Sequence, residues 1–276
     1  MKHIHLSSTI LSIEPDLQNQ NCTVLKVLSK GKIEEIPGFK HVVLATQAPA
    51  AASLLTSYFN SLPESMVHRR HRILPLVQCL KAFQSQPSLV INHTDDTLLP
   101  DHEQDVRELN LITLAPGATM ASELKPMQLS EKLNVSPTYT MATQVLPRPK
   151  GYPRAGPTVF QSTNPIIPPH KEAIISVANL QRAVVSLEGK KALHSLCERE
   201  SVKWWQCPYQ AKTHLGPLQG GRPPSEPDAP GFWICGSFAH LGIPLLEGCV
   251  ISARNTVEQG ILKSEGVMWK KEPWTN

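Results

Sequence analysis

Glu247 and Gly248 stand where a short apolar run gives way, through a glycine-punctuated turn, to residues of helical period, in a chain of 276 residues. The run Phe232-Trp233-Ile234-Cys235 reads as a buried strand ending at Gly236. Gly236, Gly242 and Pro244 mark the turn. Val250, Ala253, Val257 and Ile261 then recur at steps of three or four, the spacing of one helix face. The first turn of a helix carries backbone N–H groups with no partner inside the helix, and the macrodipole makes that end positive. A glycine loop lets an electron-rich ligand approach those donors, and Gly248, without a side chain, is the natural point of contact. Glu247 suits the same end of the helix as an acidic first-turn residue. An ordinary strand-to-helix corner has the same pattern.

Other residues with chemical potential are scattered. Trp204 and Trp205, with Tyr209 nearby, could wall a dry pocket, although neighbours on a regular strand face opposite ways, so at most one tryptophan would face it. One tryptophan in the core and one half-exposed is the alternative. His3 and His5 share a strand face without a third or fourth ligand to complete a metal site. His68 and His71 flank two arginines, and His214 and His240 lie on either side of the Gly/Pro-rich stretch Gly216 to Pro230. The six cysteines include no C-x-x-C pair, which excludes the usual zinc and thioredoxin-like spacings. G-x-S-x-G, H-E-x-x-H and phosphate-loop motifs are missing, so hydrolase and nucleotidase readings have no support. No single residue is identified as a catalytic acid or base.

The elements that would position these residues follow from local pattern. Lys2 to Glu14 has strand character, Cys22 to Leu28 is a β-branched run, and Lys32 to Ile36 is its hairpin partner across Ser29-Lys30-Gly31-Lys32. His41 to Thr46 is a compact apolar strand, and the alanine-rich Pro49 to Phe59 is a helix with proline at its start. From Met66 to Pro217 the chain reads as β-rich, with strands expected at Leu76 to Phe83, Ser88 to His93, Val106 to Leu114, Pro137 to Leu146, Pro157 to Ser162, Gln181 to Leu187 and Ser201 to Trp205, and one helix at Gly189 to Glu200. Gly216 to Pro230 reads as a loop. A net charge of +4 without a long Lys/Arg run gives no support for nucleic acid. No apolar run has the length of a bilayer span and no signal peptide is evident, which points to a cytoplasmic protein.

The segment Gly236 to Ala253, G-S-x-x-x-x-G-I-P-L-L-E-G-C-x-x-S-A, resembles the C-terminal flavin-binding segment of flavin-containing amine oxidases and their relatives. The order of strand, hairpin, V-V-L-A-T strand and helix is similar to the same family, with His41 where its members usually carry Asp. Further likeness runs through His93-Thr94-Asp95 and Leu99-Pro100. The resemblance implies FAD as cofactor, with Gly236 and Ser237 near its diphosphate and ribityl chain. It also implies Leu246, Glu247 and Gly248 near the isoalloxazine, and Ala45 and Thr46 close by. The helix N-terminus would stabilise charge that builds on the reduced flavin. Trp204, Trp205 and Tyr209 would line the substrate pocket.

The G-x-G-x-x-G unit that holds the ADP half of FAD in such proteins does not occur in this sequence. The expected fold is therefore mixed α/β: an incomplete Rossmann-like FAD-binding domain from residues 1–60 and 218–276, with a β-rich substrate domain at 61–217. The expected function is that of an FAD-dependent oxidoreductase acting on a small organic molecule, as a truncated form that is inactive alone. A separate N-terminal half would supply the missing fingerprint. The alternative is a non-catalytic binding module that keeps the fold without the cofactor.

Overall fold

The computed structural model describes residues 4–113, 140–151, 156–201, 213–220, 222, 226, 228–242 and 245–267. Helices and strands are mixed throughout, in two compact units. One comprises Met1–Gln84 with Ala183–Asn276, and the other Ser85–Arg182. The β-rich unit is thus shorter than the expected 61–217. Its neighbours on both sides belong to the first unit.

The first unit opens with an antiparallel meander of β1 (Ser8–Pro15), β2 (Thr23–Ser29) and β3 (Lys32–Phe39), in that order. Ser29 pairs with Lys32, and the two residues between them, Lys30 and Gly31, both have positive φ. That is the backbone of a tight hairpin whose twist matches its strands. Lys26 on β2 reaches Glu14 at 2.9 Å and Glu35 at 3.5 Å across the neighbouring strands. After the meander comes β4 (His41–Leu44), which pairs in parallel with β12 (Gly231–Ile234), Leu44 opposite Ile234. Parallel neighbours need a crossover, and here residues 45–230 lie between them.

Two helices pack against this pair. α1 (Ala48–Ser61) carries Pro49 in its first turn, where no amide hydrogen is needed. It buries Ala48, Ala51, Ala52, Leu55 and Tyr58, one continuous stripe. The Tyr58 ring lies 4.6 Å from that of Phe232 on β12. α2 (Val67–Lys81) occupies most of Leu76 to Phe83, where a strand was expected. Ile73, Leu76, Val77 and Leu80 are buried at steps of three and four, so the stretch after Pro75 continues a helical stripe begun before it. Pro75 forgoes one intrahelical bond without ending the helix. Arg69 on α2 is buried and ion-paired to Glu226, with a further bond to the Gln20 carbonyl at 2.6 Å.

α3 (Leu187–Leu196) starts at Ser186, whose hydroxyl accepts the Gly189 N–H at 3.0 Å. It ends four residues before the expected Glu200, because Cys197–Arg199 forms β10, antiparallel to β11 (Thr213–Leu215). The connector before β12 is also more than a loop. Gly220 exchanges two backbone hydrogen bonds of 2.8 Å with Phe232, and the Gln219 side chain bonds both the N–H and the carbonyl of Ile234 at 2.9 Å. Together they close the outer edge of β12.

α4 (Leu246–Asn255) runs on through a π-turn, Thr256–Ile261, to the short α5 (Leu262–Ser264). The helix is where its period put it, but its faces are reversed. Val250 and Val257 are exposed, and Gly248, Ser252, Asn255, Thr256 and Gly260 face inward. Small residues on that side let the helix lie close against β12.

The second unit is a five-stranded sheet in the order β6-β7-β8-β5-β9. Its strands are β5 (Gln84–His93), β6 (Leu109–Thr113), β7 (Thr140–Val145), β8 (Phe160–Thr163) and β9 (Ile174–Val184). Leu89, Ile91, Met141 and Phe160 form its buried apolar side. β9 corrects the expected strand at Gln181 to Leu187. It lies largely upstream, and because its residues are exposed on both faces it carries no alternation to read. Among the described residues, no helix is long and apolar enough to cross a membrane.

Glycine to alanine inside an exposed helix usually gains about 1 kcal/mol. At Gly260 the added Cβ would overlap the Trp233 ring, so Gly260→Ala is expected to lower stability by about 2–3 kcal/mol. A reduced urea midpoint with unchanged slope is the readout.

Candidate functional site

Because β4 and β12 run in parallel, their C-terminal ends emerge side by side. The Cys235 N–H donates to the Leu44 carbonyl at 3.2 Å, the last rung of the pair. Beyond it, exposed Ala45 and Thr46 follow one strand and Gly236 and Ser237 the other. The carboxyl ends of parallel strands are where open α/β sheets bind ligands. Gly236 has φ 151°, a conformation suited to glycine, and a Cβ there would meet the Phe238 ring at 3.1 Å. The chain then makes a 3₁₀ turn, Ser237–Ala239.

Ser252 joins this turn to the helix. Its buried hydroxyl accepts the Gly236 N–H at 3.0 Å and lies 3.1 Å from the carbonyls of both Gly236 and Cys249. Sequence reasoning did not single Ser252 out as a site residue, although it lies within the motif. Gly248 is buried, and a Cβ at that position would sit 3.3 Å from His240 Cβ and from the Ser237 carbonyl oxygen. The residue is therefore glycine because the helix lies close on the chain's own turn. The space a side chain would take at Gly248 is thus occupied by the chain's own turn. What remains exposed at the helix start is Leu245, Leu246 and Glu247. Leu245 provides no side-chain cap; the Gly248 N–H donates back to the Leu245 carbonyl at 3.0 Å, and the N–H groups of Leu246 and Glu247 are left to solvent or to a bound acceptor.

His240 sits behind this turn with Nδ1 buried and, among the described residues, without a hydrogen-bond partner. Burial pushes its pKa down; the Glu247 carboxylate works against that shift and Arg199 adds to it. Next to the turn, Phe238 packs on Phe83 with ring centres 5.1 Å apart. Phe83 also borders a groove of about 440 Å³ lined with Pro49, Ala52, Ser53, Thr56, Leu80 and Lys81.

His41, in the position where Asp was expected, has a different task. Its Nδ1 accepts the Trp233 indole N–H at 3.0 Å, so the ring proton is on Nε2, which donates to Glu265 at 2.8 Å. That bond, first among several causes, holds the Glu265 carboxyl below its ordinary pKa. The cluster joins β4, β12 and the end of the C-terminal helix. His214 is exposed on β11. Trp204, Trp205, Tyr209 and Pro244 lie outside the described residues, as does most of the expected strand Ser201 to Trp205.

The His93-Thr94-Asp95 segment forms a second polar constellation, within the β-rich unit. His93 Nε2 is 2.9 Å from Ser162 Oγ, which is 2.7 Å from Thr143 Oγ1, and all three residues are buried. A histidine beside a serine invites a nucleophile-and-base reading. The hydrogen bonds rule it out: Nδ1 accepts the Asp95 N–H at 3.2 Å, so Nε2 carries the proton and donates to the serine. A nitrogen that donates to the hydroxyl is not its base. Asp95 turns away, accepting from Thr97 at 2.6 Å and from the His170 N–H at 2.7 Å. Burial alone would raise the Asp95 pKa, but these bonds outweigh it and hold the carboxyl low. The constellation organises the sheet and its loop.

No family model matches this chain, and no curated protein matches it.

Burial pushes the His93 pKa down, opposed by Asp95. A folded value below the unfolded value of about 6.5 means that the unfolded chain binds more protons between the two. His93 therefore contributes full stability above pH 6.5, which is lost as pH falls toward the folded value. Urea unfolding from pH 7 to 5 is expected to show falling stability. His93→Gln, which keeps a side-chain donor, is expected to flatten that slope.

Proposed function

We propose that the chain is an FAD-dependent oxidoreductase component of amine oxidase-like type, acting on a small organic molecule at an oxidisable C–N or C–C bond. The observation that carries the reading is the parallel register of β4 and β12. It sets Ala45 and Thr46 beside Gly236 and Ser237, two stretches far apart in sequence that the resemblance assigns to one cofactor. In this reading Gly236, Ser237, Ala45 and Thr46 border the diphosphate and ribityl chain. The first-turn N–H groups at Leu246 and Glu247 face the electron-rich edge of the flavin. When bound, the cofactor supplies the electron acceptor, and the chain's own residues orient the substrate and exclude water.

The fit is partial. The uncapped helix start and the exposed strand ends suit a polar, electron-rich group. The Gly248 cradle does not, since His240 and Ser237 fill it. Gly248 thus serves in this reading as the spacer that seats the helix. A Rossmann-like FAD domain would be completed by a separate polypeptide segment bearing the dinucleotide fingerprint, in a cytoplasmic setting, and Trp204, Trp205 and Tyr209 remain the candidate walls of the substrate pocket.

The filled cradle at Gly248 favours a second reading, a binding module that retains the fold without the cofactor. Titration of the purified chain with FAD to millimolar concentration separates the two. The first reading expects quenched flavin fluorescence and a protein-bound absorbance band near about 450 nm, both lost in Gly236→Val. A chain that quenches no flavin fluorescence and retains no flavin once free FAD is removed favours the module.

A further inference from the structure

β9 is an eleven-residue strand at the edge of the five-stranded sheet, and it is exposed along both faces. Ile175 is 58% exposed, Val177 40% and Leu180 52%. Exposed edges are normally blunted by shortness, proline, a bulge or charge, because their free N–H and carbonyl groups recruit other strands. The opposite edge, β6, has five residues and is blunted by shortness. β9 is long, contains neither proline nor glycine, and has Arg182 as its one charged residue.

We propose that this edge pairs with the β9 edge of a second copy of the chain, antiparallel about a two-fold axis at Asn179. The argument for a copy is that the strand complements itself in that register. Ile174 falls opposite Val184, Ile175 opposite Ala183, Val177 opposite Gln181, and Ala178 opposite Leu180. Arg182 meets Ser176, so no like charges oppose one another, and the two Asn179 amides face each other within hydrogen-bonding range. Moving the axis one residue to Ala178 sets Arg182 opposite Ile174 and Gln181 opposite Ile175; moving it to Leu180 keeps Val177 opposite Ala183 but sets Arg182 opposite Ala178, Val184 opposite Ser176, and leaves Ile174 and Ile175 without partners on the strand. An antiparallel pair of this length makes roughly ten hydrogen bonds, the usual complement of a specific interface. A closed two-fold contact also consumes the edge, which an open stack of sheets would not.

The full chain should sediment as a concentration-dependent dimer. Leu180→Lys, a change at an exposed position, should raise the dissociation constant at least about tenfold while leaving the circular dichroism unchanged. Two cysteine variants test the register. At Asn179→Cys the paired Cα atoms are about 5 Å apart, within disulfide reach, so mild oxidation should give a covalent dimer. At Val177→Cys the equivalent atoms are about 13 Å apart and should not cross-link. The unsubstituted chain is the control; its Cys22, Cys79, Cys197 and Cys235 are buried. A chain monomeric at every concentration overturns the proposal, as does a dimer indifferent to Leu180→Lys or one cross-linking equally at both positions.

Discussion

The parallel contact between His41–Leu44 and Gly231–Ile234 is the interaction on which the first unit depends. Two parallel strands alone are a poor structure, because such sheets are stable when buried on both faces. Here that condition is met for β12, all four of whose residues are buried, and on one face of β4. Val42, Leu44, Phe232, Trp233 and Ile234 are buried, and the Tyr58 ring of α1 packs at a tilt against Phe232. Full burial of apolar side chains of this size contributes roughly 2 kcal/mol each, enough to hold together stretches of chain that are distant in sequence. The outer edge of β12 is closed by Gln219 and Gly220, so its polar backbone atoms are satisfied where another strand would otherwise be needed. Val43 on β4 remains exposed.

What the contact positions is equally a consequence of burial. Once the strands are in register, Gly236 must turn away beside Thr46, and Ser252 fixes that turn through its backbone N–H. The helix that carries Ser252 can approach only because Gly248 and Gly260 leave room, one for the Ser237 turn and one for the Trp233 ring. The β-rich unit adds to its apolar contacts a buried polar chain of His93, Ser162 and Thr143. Such a network is tolerable because its members satisfy one another. It specifies which strands lie together, since β5, β8 and β7 each contribute one member.

Elements whose physics is local were legible in the sequence. The hairpin at Lys30-Gly31, the strand at His41, the proline-led α1 and the strand at Phe232 each carry their own signal within a few residues. α2 was hidden by Pro75, which looks like a boundary until the stripe of Ile73, Leu76, Val77 and Leu80 shows the helix passing through it. β9 was misplaced because burial on one face is what writes alternation into a strand, and β9 has none. The division into units at Gln84 and Arg182 was not readable, because it depends on α2 and α3 packing with the first unit. Gln219 could not be found either: its role depends on Ile234, to which only the folded chain brings it.

Glycine is where the candidate site was most easily misread. A glycine at a helix start can admit a ligand to the backbone, or admit the protein to itself, and both leave the same letter in the sequence. The distinction lies in what a Cβ would meet. At Gly236 it would meet a neighbouring ring in a conformation few other residues adopt, which marks a turn. At Gly248 and Gly260 it would meet the chain's own turn and an indole, which marks close packing. A motif of this kind therefore preserves two things at once, the seat of the helix and the direction of its N-terminus. A protein that kept only the seat would still need every one of these glycines. The exposed residues at the helix start, Leu246 and Glu247, are free of that demand. It is they, more than the glycines, that distinguish a flavin site from a well-packed corner.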